Sequence, residues 1–347
     1  MTAPRLQPSL SDTARALAIG ATGAGLAWSV SAPAAILLGP ALLVSAASLS
    51  GVPLGLPRPV TELCFVILGL GIGAGFDTHA GDAILRWPLA FLVLLPMLAA
   101  TLWLGRTVLE RGFAFDRRSA TLSAAPGHLS FVLGLAADTG GDVGRVAVVQ
   151  SIRLLALTIA VPVIALAMGY RMDPAMLPAS TPAPLPTLAV LALLGAGAGL
   201  LLRRTGAPAP MLLGPLSVSA VGHVTDLAPG APPPWAITPA FIVLGTLIGT
   251  RFAGMTLAQL RAWLLAGLAV TAIAAGMAVL AALPVALALG FPPAHVVAAF
   301  SPGGLETMVA LGAVMGASPG FVAACHMVRL GILTLLIPLS LNSHGRH

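Results

Sequence analysis

The sequence predicts an all-α integral membrane protein made of two inverted-topology repeats, and three observations support this fold class. Of the 347 residues, 58% are hydrophobic and only 8% are charged, whereas about 25% are charged in soluble domains. The mean hydropathy is +0.99, so lipid rather than water is the expected solvent. The other two observations are an internal duplication and a short, broken apolar segment in each copy.

The duplication consists of three blocks that recur in the same order, 175 or 176 residues later. The best-preserved block aligns without a gap, and its shared positions include Pro126 with Pro302, Arg153 with Arg329 and Pro162 with Pro338. The matching ranges are 32–45 with 207–220, 65–76 with 241–252, and 126–162 with 302–338.

These matches predict three parts of the chain: a transmembrane repeat at 10–170, a Pro-rich linker at 171–183 and a second transmembrane repeat at 184–345. The first 35 residues also resemble a signal peptide, with basic residues before an apolar run. Because that run belongs to the first repeat, we expect it to be retained.

Each copy contains six apolar segments, of which the fifth is too short to cross a membrane. A full span needs about 20 apolar residues, but the fifth segments cover only about 127–137 and 303–315 and follow a Pro-Gly break. We predict a re-entrant or broken helix there, which is tolerated where protein or a water-filled cavity covers it. Each copy then has about five spans. The second segment is short too, and its Leu-Gly-Pro sequence predicts a helix that opens with proline.

The distribution of arginine favours this odd number of spans. All 17 cationic residues are Arg, and cytoplasmic loops are enriched in positive charge. With five spans per copy, the Arg-rich 106–118 loop and the Arg203–Arg204 pair both lie inside. If the fifth segment spans the membrane, with or without a re-entrant second segment, one of these two Arg-rich loops lies outside. An odd number inverts the second copy, an architecture typical of secondary transporters. We expect a multi-pass protein of the bacterial inner membrane with cytoplasmic N- and C-termini.

Two arginines occupy equivalent positions in the sixth segments. Arg153 and Arg329 lie within apolar helices, where a charge usually faces a cavity or a partner. Gln150 and His326 precede them by three residues and share that helix face. One interpretation is an anion-binding arginine pair.

The alternative is that each arginine forms a structural ion pair with a carboxylate. These pairs would join Arg329 to Glu306 and Arg153 to Asp138 or Asp142. The two interpretations are compatible if an ion pair breaks during transport.

The two Pro-Gly breaks supply the remaining candidate binding residues. A break exposes backbone N–H groups at the start of a helix, and such termini attract anions. Glu306 would sit in the first turn of the second broken helix, either as a helix cap or as a protonatable group that couples transport to H⁺ or Na⁺. The candidates at the breaks are Gly127, His128, Ser130, Gly303, Gly304, Glu306 and Thr307.

The repeated PG(G/H)L…(Q/H)xxRL…P block and the LGP segment resemble the AbrB-type bacterial membrane protein family, which contains an internal AbrB duplication. The resemblance covers nearly the whole chain. Copy one departs from it with His128 for Gly and with Ser130 where an acidic residue would be expected. Proteins of this family are labelled as ammonia monooxygenases or gene regulators, but clustered His ligands for copper and a soluble DNA-reading domain do not occur in the sequence.

The sequence therefore predicts a secondary transporter of a small, anionic solute, coupled to an ion and working by alternating access. The alternative is a membrane sensor that affects gene expression indirectly, and a monooxygenase is a weaker third. No Walker motif or metal-ligand spacing occurs, so we expect no enzyme activity, cofactor or metal. The expected partners are a small molecule or ion and the lipid bilayer, with no nucleic acid; a homodimer is left open.

Overall fold

The computed structural model of the protein describes residues 8–76, 87–126, 129–169 and 181–342, and these ranges are almost entirely helical. The all-α fold class is confirmed. Within them, six helices are long and apolar enough to cross a membrane, and three apolar helices of 10–17 residues are shorter. The number of ten spans stays a prediction.

Fourteen α-helices follow one another in the described ranges. Those of copy one are α1 (Leu10–Ser29), α2 (Ala35–Leu49), α3 (Arg58–Gly73), α4 (Trp87–Phe113), α5 (Arg117–Ala124), α6 (Leu129–Thr139) and α7 (Val143–Ala167). Those of copy two are α8 (Leu185–Arg204), α9 (Pro210–Val224), α10 (Pro234–Gly249), α11 (Leu257–Leu289), α12 (Pro293–Phe300), α13 (Leu305–Val314) and α14 (Pro319–Asn342).

The chain folds into two compact units, and each contains helices from both predicted repeats. The first unit holds α1–α3 and α8–α10, whereas the second holds α4–α7 and most of α11 with α12–α14. The repeat boundaries remain a prediction, because the compact units do not follow them. Each unit combines helices from both repeats.

In the first unit, glycines at equivalent positions pack against equivalent helices. A Cβ on Gly69 of α3 would come within 2.5 Å of the Leu212 carbonyl oxygen and 3.0 Å of Pro215. A Cβ on Gly245 of α10 would likewise meet the carbonyl oxygen of Leu37 and lie 3.0 Å from Pro40. Small residues are what lets membrane helices approach this closely.

These contacts also give the relative direction of the helices. One turn after Gly69, Gly73 faces the Leu216 carbonyl oxygen and Ser219. The contact points therefore advance together along α3 and α9, so the two helices run parallel. The equivalent contacts of Gly249 with Val44 and Ser45 make α10 parallel to α2.

The starts of α2 and α9 share an uncommon backbone conformation. Ala34 and Ala209, the residues that precede the two helices, have φ angles of 48° and 44°, a left-handed region that non-glycine residues rarely adopt. Pro40 and Pro215 lie inside the helices. The prediction that the Leu-Gly-Pro sequence opens the helix was therefore wrong.

Candidate functional site

In the second unit, each Pro-Gly break separates two short helices. Helix α5 ends before Pro126 and α12 ends before Pro302, because a proline disfavours helical geometry in the residue that precedes it. Ala125 and Ser301 accordingly have extended ψ angles of 119° and 127°. Their carbonyl oxygens are no longer directed along a helix and are free to accept other hydrogen bonds.

Arg329 binds the break of copy two through two carbonyl groups. Its Nη1 donates to the Ser301 oxygen at 2.9 Å and its Nη2 donates to the Gly303 oxygen at 3.1 Å. The side chain is 3% exposed. The guanidinium group thus holds the turn between α12 and α13 from the neighbouring helix α14.

Arg153 makes the equivalent contact in copy one. Its Nη1 donates to the Ala125 oxygen at 2.8 Å, and the side chain is 1% exposed. Both arginines and both breaks belong to the second unit. The structure therefore brings the predicted arginine pair together with the two predicted breaks.

Neither arginine is neutralised by a carboxylate among the described residues. Within the described part of the chain, no ion pair within 4.0 Å involves Arg153 or Arg329, and the buried Nε atom of each has no hydrogen-bond partner there. The structural ion-pair interpretation is therefore not supported.

The proposed carboxylate partners are placed elsewhere. Asp142 caps α7, accepting from the Arg145 backbone N–H at 3.0 Å and pairing with the Arg145 side chain at 3.0 Å. Asp138 is exposed and Glu306 is half-buried. At about 1.5 Å of rise per residue, the N-cap position lies about three helical turns before Arg153, which explains why Asp142 does not reach it.

Gln150 and His326 lie one helical turn before the arginines and are completely buried. Gln150 Nε2 donates to the carbonyl oxygens of Leu122, Ser123 and Ala125 at 2.8, 3.3 and 3.0 Å. His326 Nδ1 lies 2.9 Å from the Val322 carbonyl oxygen. In both side chains the second polar atom, Gln150 Oε1 or His326 Nε2, has no hydrogen-bond partner among the residues that the structure describes.

The start of α13 carries the remaining candidates of copy two. Gly304 is the N-cap, and the half-buried Glu306 occupies the first turn, next to the buried Thr307. A carboxylate in a first turn is favoured by the helix dipole. Gly303 packs against the side chain of Met308, which lies 2.5 Å from where a Cβ would stand.

Part of the copy-one site lies outside the described residues. This applies to Gly127 and His128 and to the side chain of Ser130, whose backbone belongs to α6. Their predicted roles remain predictions. In the described ranges no three His, Cys, Asp or Glu residues are grouped so that they could hold a metal ion.

Sequence reasoning did not include the hydroxyl groups of α5. Ser119, Thr121 and Ser123 are all fully buried, and Ser123 Oγ has no hydrogen-bond partner. Ser119 Oγ accepts from the Asp142 backbone N–H at 2.8 Å. Three hydroxyls at alternate positions just before the Pro-Gly break were the available signal, since buried polar groups need a reason to be there.

Comparison with known proteins identifies the family. The family model described as "Transition state regulatory protein AbrB" matches residues 36–343. The chain belongs to this AbrB family. The match includes the predicted segments from the second of copy one to the last of copy two, and with them both breaks and both buried arginines.

Two relatives are similar over most of their length. "Putative regulator AbrB" of Escherichia coli (strain K12) is 29% identical over 318 residues, which cover 88% of each chain. "Uncharacterized protein YhjN" of Bacillus subtilis (strain 168) is 25% identical over 305 residues, covering 82% of this chain and 78% of the relative. Neither printed name describes a transported solute.

Proposed function

We propose that this AbrB-family protein is an inner-membrane secondary transporter of a small anionic solute, coupled to an ion and working by alternating access. The observation that carries the proposal is the buried pair formed by Arg153 and Arg329. Both guanidinium groups lie in one compact unit, each anchored to a helix break, and no carboxylate among the described residues neutralises them.

The energetic argument favours a negatively charged ligand. Removing an arginine from water costs on the order of several kcal/mol for each ion, and two like charges repel each other as well. Such groups persist in membrane proteins chiefly where they serve a solute or ion pathway. The two unpartnered Nε–H groups are the donors that an anion would use.

The buried arginines also fit the closed stage of an alternating-access cycle. With exposures of 1% and 3%, their side chains are sealed off in this conformation. A solute reaches them only if helices at the breaks move. Breaks in transporter helices provide both the binding groups and the flexibility for such movement.

The direction of helices in the first unit supports an inverted arrangement of the two copies. If consecutive spans alternate in direction, α2 runs opposite to α3. Since α9 runs parallel to α3 by its glycine contacts, α2 and α9 run in opposite directions. These helices occupy equivalent positions in the two repeats, so the repeats would be inverted.

Loop charge supports the proposed orientation. The arginines at 106–118 and the Arg203–Arg204 pair would face the cytoplasm together with both termini. The name "Putative regulator AbrB" belongs to the E. coli relative; an effect on gene expression here would be an indirect result of moving a solute.

The proposal is tested with purified protein in proteoliposomes. A thermal-shift screen first identifies stabilising anions, because a ligand that binds the native state raises its stability by mass action. Uptake of those anions is then measured under H⁺, Na⁺ and voltage gradients. We expect gradient-driven uptake by wild-type protein and a loss of at least about tenfold in Arg153→Ala and Arg329→Ala, since a hydrogen bond to a charged group is worth roughly 1.5–3 kcal/mol.

Arg145→Ala is the matched control. Arg145 lies on the same helix as Arg153, but it is one-third exposed and pairs with Asp142. Its guanidinium stacks on Trp263 at 4.7 Å. We expect this variant to keep uptake. Wild-type protein that binds an anion but moves none under any gradient would contradict the transporter proposal and favour a membrane sensor.

A further inference from the structure

The imidazole of His326 has one unused nitrogen in the interior of the second unit. Nδ1 lies 2.9 Å from the Val322 carbonyl oxygen, and because a carbonyl only accepts, Nδ1 must carry the hydrogen. Nε2 is left with its lone pair, and that buried atom has no hydrogen-bond partner in the ranges that the structure describes. The whole residue is 0% exposed.

The equivalent residue of copy one, Gln150, has the same arrangement of polar atoms but cannot bind a proton. Its Nε2 is used on three carbonyl oxygens, and its Oε1 is the buried atom without a partner. Both side chains therefore present one free acceptor, three residues before a buried arginine. Of these two acceptors, only the imidazole nitrogen is basic enough to bind a proton.

Arg329 is the cation on the same helix as His326, three residues later and therefore one turn away. No ion pair joins His326 to a carboxylate within the described ranges. The titratable or charged groups on the surrounding elements are Cys325 on α14, His295 on α12, Glu306 on α13, Arg153 and Arg145 on α7, Arg117 and Arg118 on α5, and Arg106, Glu110 and Arg111 on α4.

We propose that His326 is the proton-binding residue that couples anion movement to H⁺, with the anion and the proton carried in the same direction. The inference rests on the proposed function and deepens it by naming the coupling ion and its site. The proton would add to the Nε2 lone pair, while Nδ1–H stays on Val322. It would leave from the same atom when the site opens to the other side.

The coupling follows from the charges. In the empty site, a proton on Nε2 would add a third buried positive charge to those of Arg153 and Arg329, which is unfavourable without compensation. An anion against the arginines supplies that compensation. Proton and anion therefore stabilise each other in the site, as reciprocal linkage requires. A transporter that changes conformation only when the site is empty or doubly occupied then couples the two fluxes.

Glu306 is the competing proton carrier. It is half-buried in the first turn of α13. The experiment therefore compares the two residues directly.

The decisive variant is His326→Gln, which places the residue of copy one at the equivalent position of copy two. It keeps an amide donor for Val322 and a free acceptor but cannot be protonated. Glu306→Gln is its matched control.

Proteoliposomes are tested with radiolabelled lactate, succinate, glutamate and inorganic phosphate. Uptake is driven by one pH unit at zero voltage, and exchange is measured separately without a gradient against the same unlabelled anion inside.

We expect wild-type protein and Glu306→Gln to accumulate the anion up to about tenfold, the ratio that one pH unit supports at one proton per anion. His326→Gln should still be stabilised by the anion in the thermal-shift assay but show neither accumulation nor exchange, because its anion-only form does not change conformation. Accumulation by His326→Gln at the wild-type level, or its loss in Glu306→Gln alone, overturns the inference.

A measurement on wild-type protein keeps the test independent of how the variant folds. On mixing with the transported anion in weakly buffered detergent, a pH dye should report uptake of up to one proton per protein. Absence of proton uptake overturns the inference.

If uptake by wild-type protein is driven by Na⁺ or voltage and not by a pH gradient, the inference alone fails. If it moves none of the four anions under any gradient, the proposed function fails and the inference with it.

Discussion

Arg329 donates from Nη1 to the carbonyl oxygen of Ser301, 28 residues earlier, at 2.9 Å. Arg153 makes the same bond to Ala125 over the same separation at 2.8 Å. In both copies the acceptor is the residue before the proline of the break. The charge on one helix therefore holds the interruption of another, and the two copies repeat this relationship.

The double anchor of Arg329 predicts that lysine cannot replace it. A lysine donates from one nitrogen, whereas Arg329 uses two separate nitrogens of a rigid fork, so Arg329→Lys would lose the geometry that holds the carbonyl oxygens of Ser301 and Gly303 together. We expect the free energy of unfolding to fall by about 1–3 kcal/mol, measured by thermal unfolding in detergent, with loss of anion-induced stabilisation.

Arg203→Lys is the control for this change. Arg203 is one-third exposed and binds Glu62 at 2.7 Å through a single nitrogen. Surface ion pairs contribute only about 0–1 kcal/mol, so stability should hardly change. Equal losses in the two lysine variants would contradict the anchoring role of Arg329.

Two adjacent glycines of the copy-two break should respond differently to alanine. A Cβ on Gly303 would stand 2.5–2.9 Å from three atoms of the buried Met308 side chain, whereas one on Gly304 would meet nothing closer than 3.5 Å. Overpacking of this kind destabilises by about 1–3 kcal/mol, and it would also shift the Gly303 carbonyl away from Arg329.

We therefore expect Gly303→Ala to lower the thermal stability and the anion affinity together. Gly304→Ala should change the free energy of unfolding by less than about 1 kcal/mol. If both variants melt and bind like wild type, the turn is not held as tightly as the contacts indicate.

The glycines at the helix crossings of the first unit give a third prediction. At Gly69 and Gly245 the atom opposing an added Cβ is a backbone carbonyl oxygen, which cannot rotate away, so the helices must separate. Each alanine substitution should cost about 1–3 kcal/mol of stability. Gly197, inside α8 with no atom within 4 Å, is the control. There alanine should stabilise by about 0.5–1 kcal/mol, and thermal unfolding of the three variants decides the matter.

Much of this fold could be predicted because its signals are local. Apolar segments of sufficient length place the helices, and Pro126 and Pro302 place the breaks, since proline acts on its immediate neighbour. The equivalence of Arg153 and Arg329 followed from alignment of the two copies. The short helices α5 and α12 were missed, because eight residues are too few to show a periodic pattern or to reach the length of a span.

The partners of the arginines could not be read from the sequence. Carboxylates such as Glu306 were the obvious candidates, but the acceptors are main-chain carbonyl groups. Every residue has a carbonyl group, so the residue types do not indicate which ones accept. The grouping of helices into units also depends on contacts between residues more than a hundred positions apart, such as Cys64 Sγ with the Ala240 oxygen. These two residues occupy equivalent positions of the repeats.

The last prediction concerns the orientation of the two copies. In the inverted arrangement, the loop before α5 faces the cytoplasm and the loop before α12 faces the opposite side. Gly112 and Pro292 are exposed positions in or beside these loops, and the natural cysteines, Cys64 and Cys325, are buried. A membrane-impermeant maleimide should therefore modify Pro292→Cys in intact spheroplasts but Gly112→Cys only after permeabilisation. Modification of both cysteines from the same side would place the copies in the same direction, and a transport site related by inversion would then have no basis.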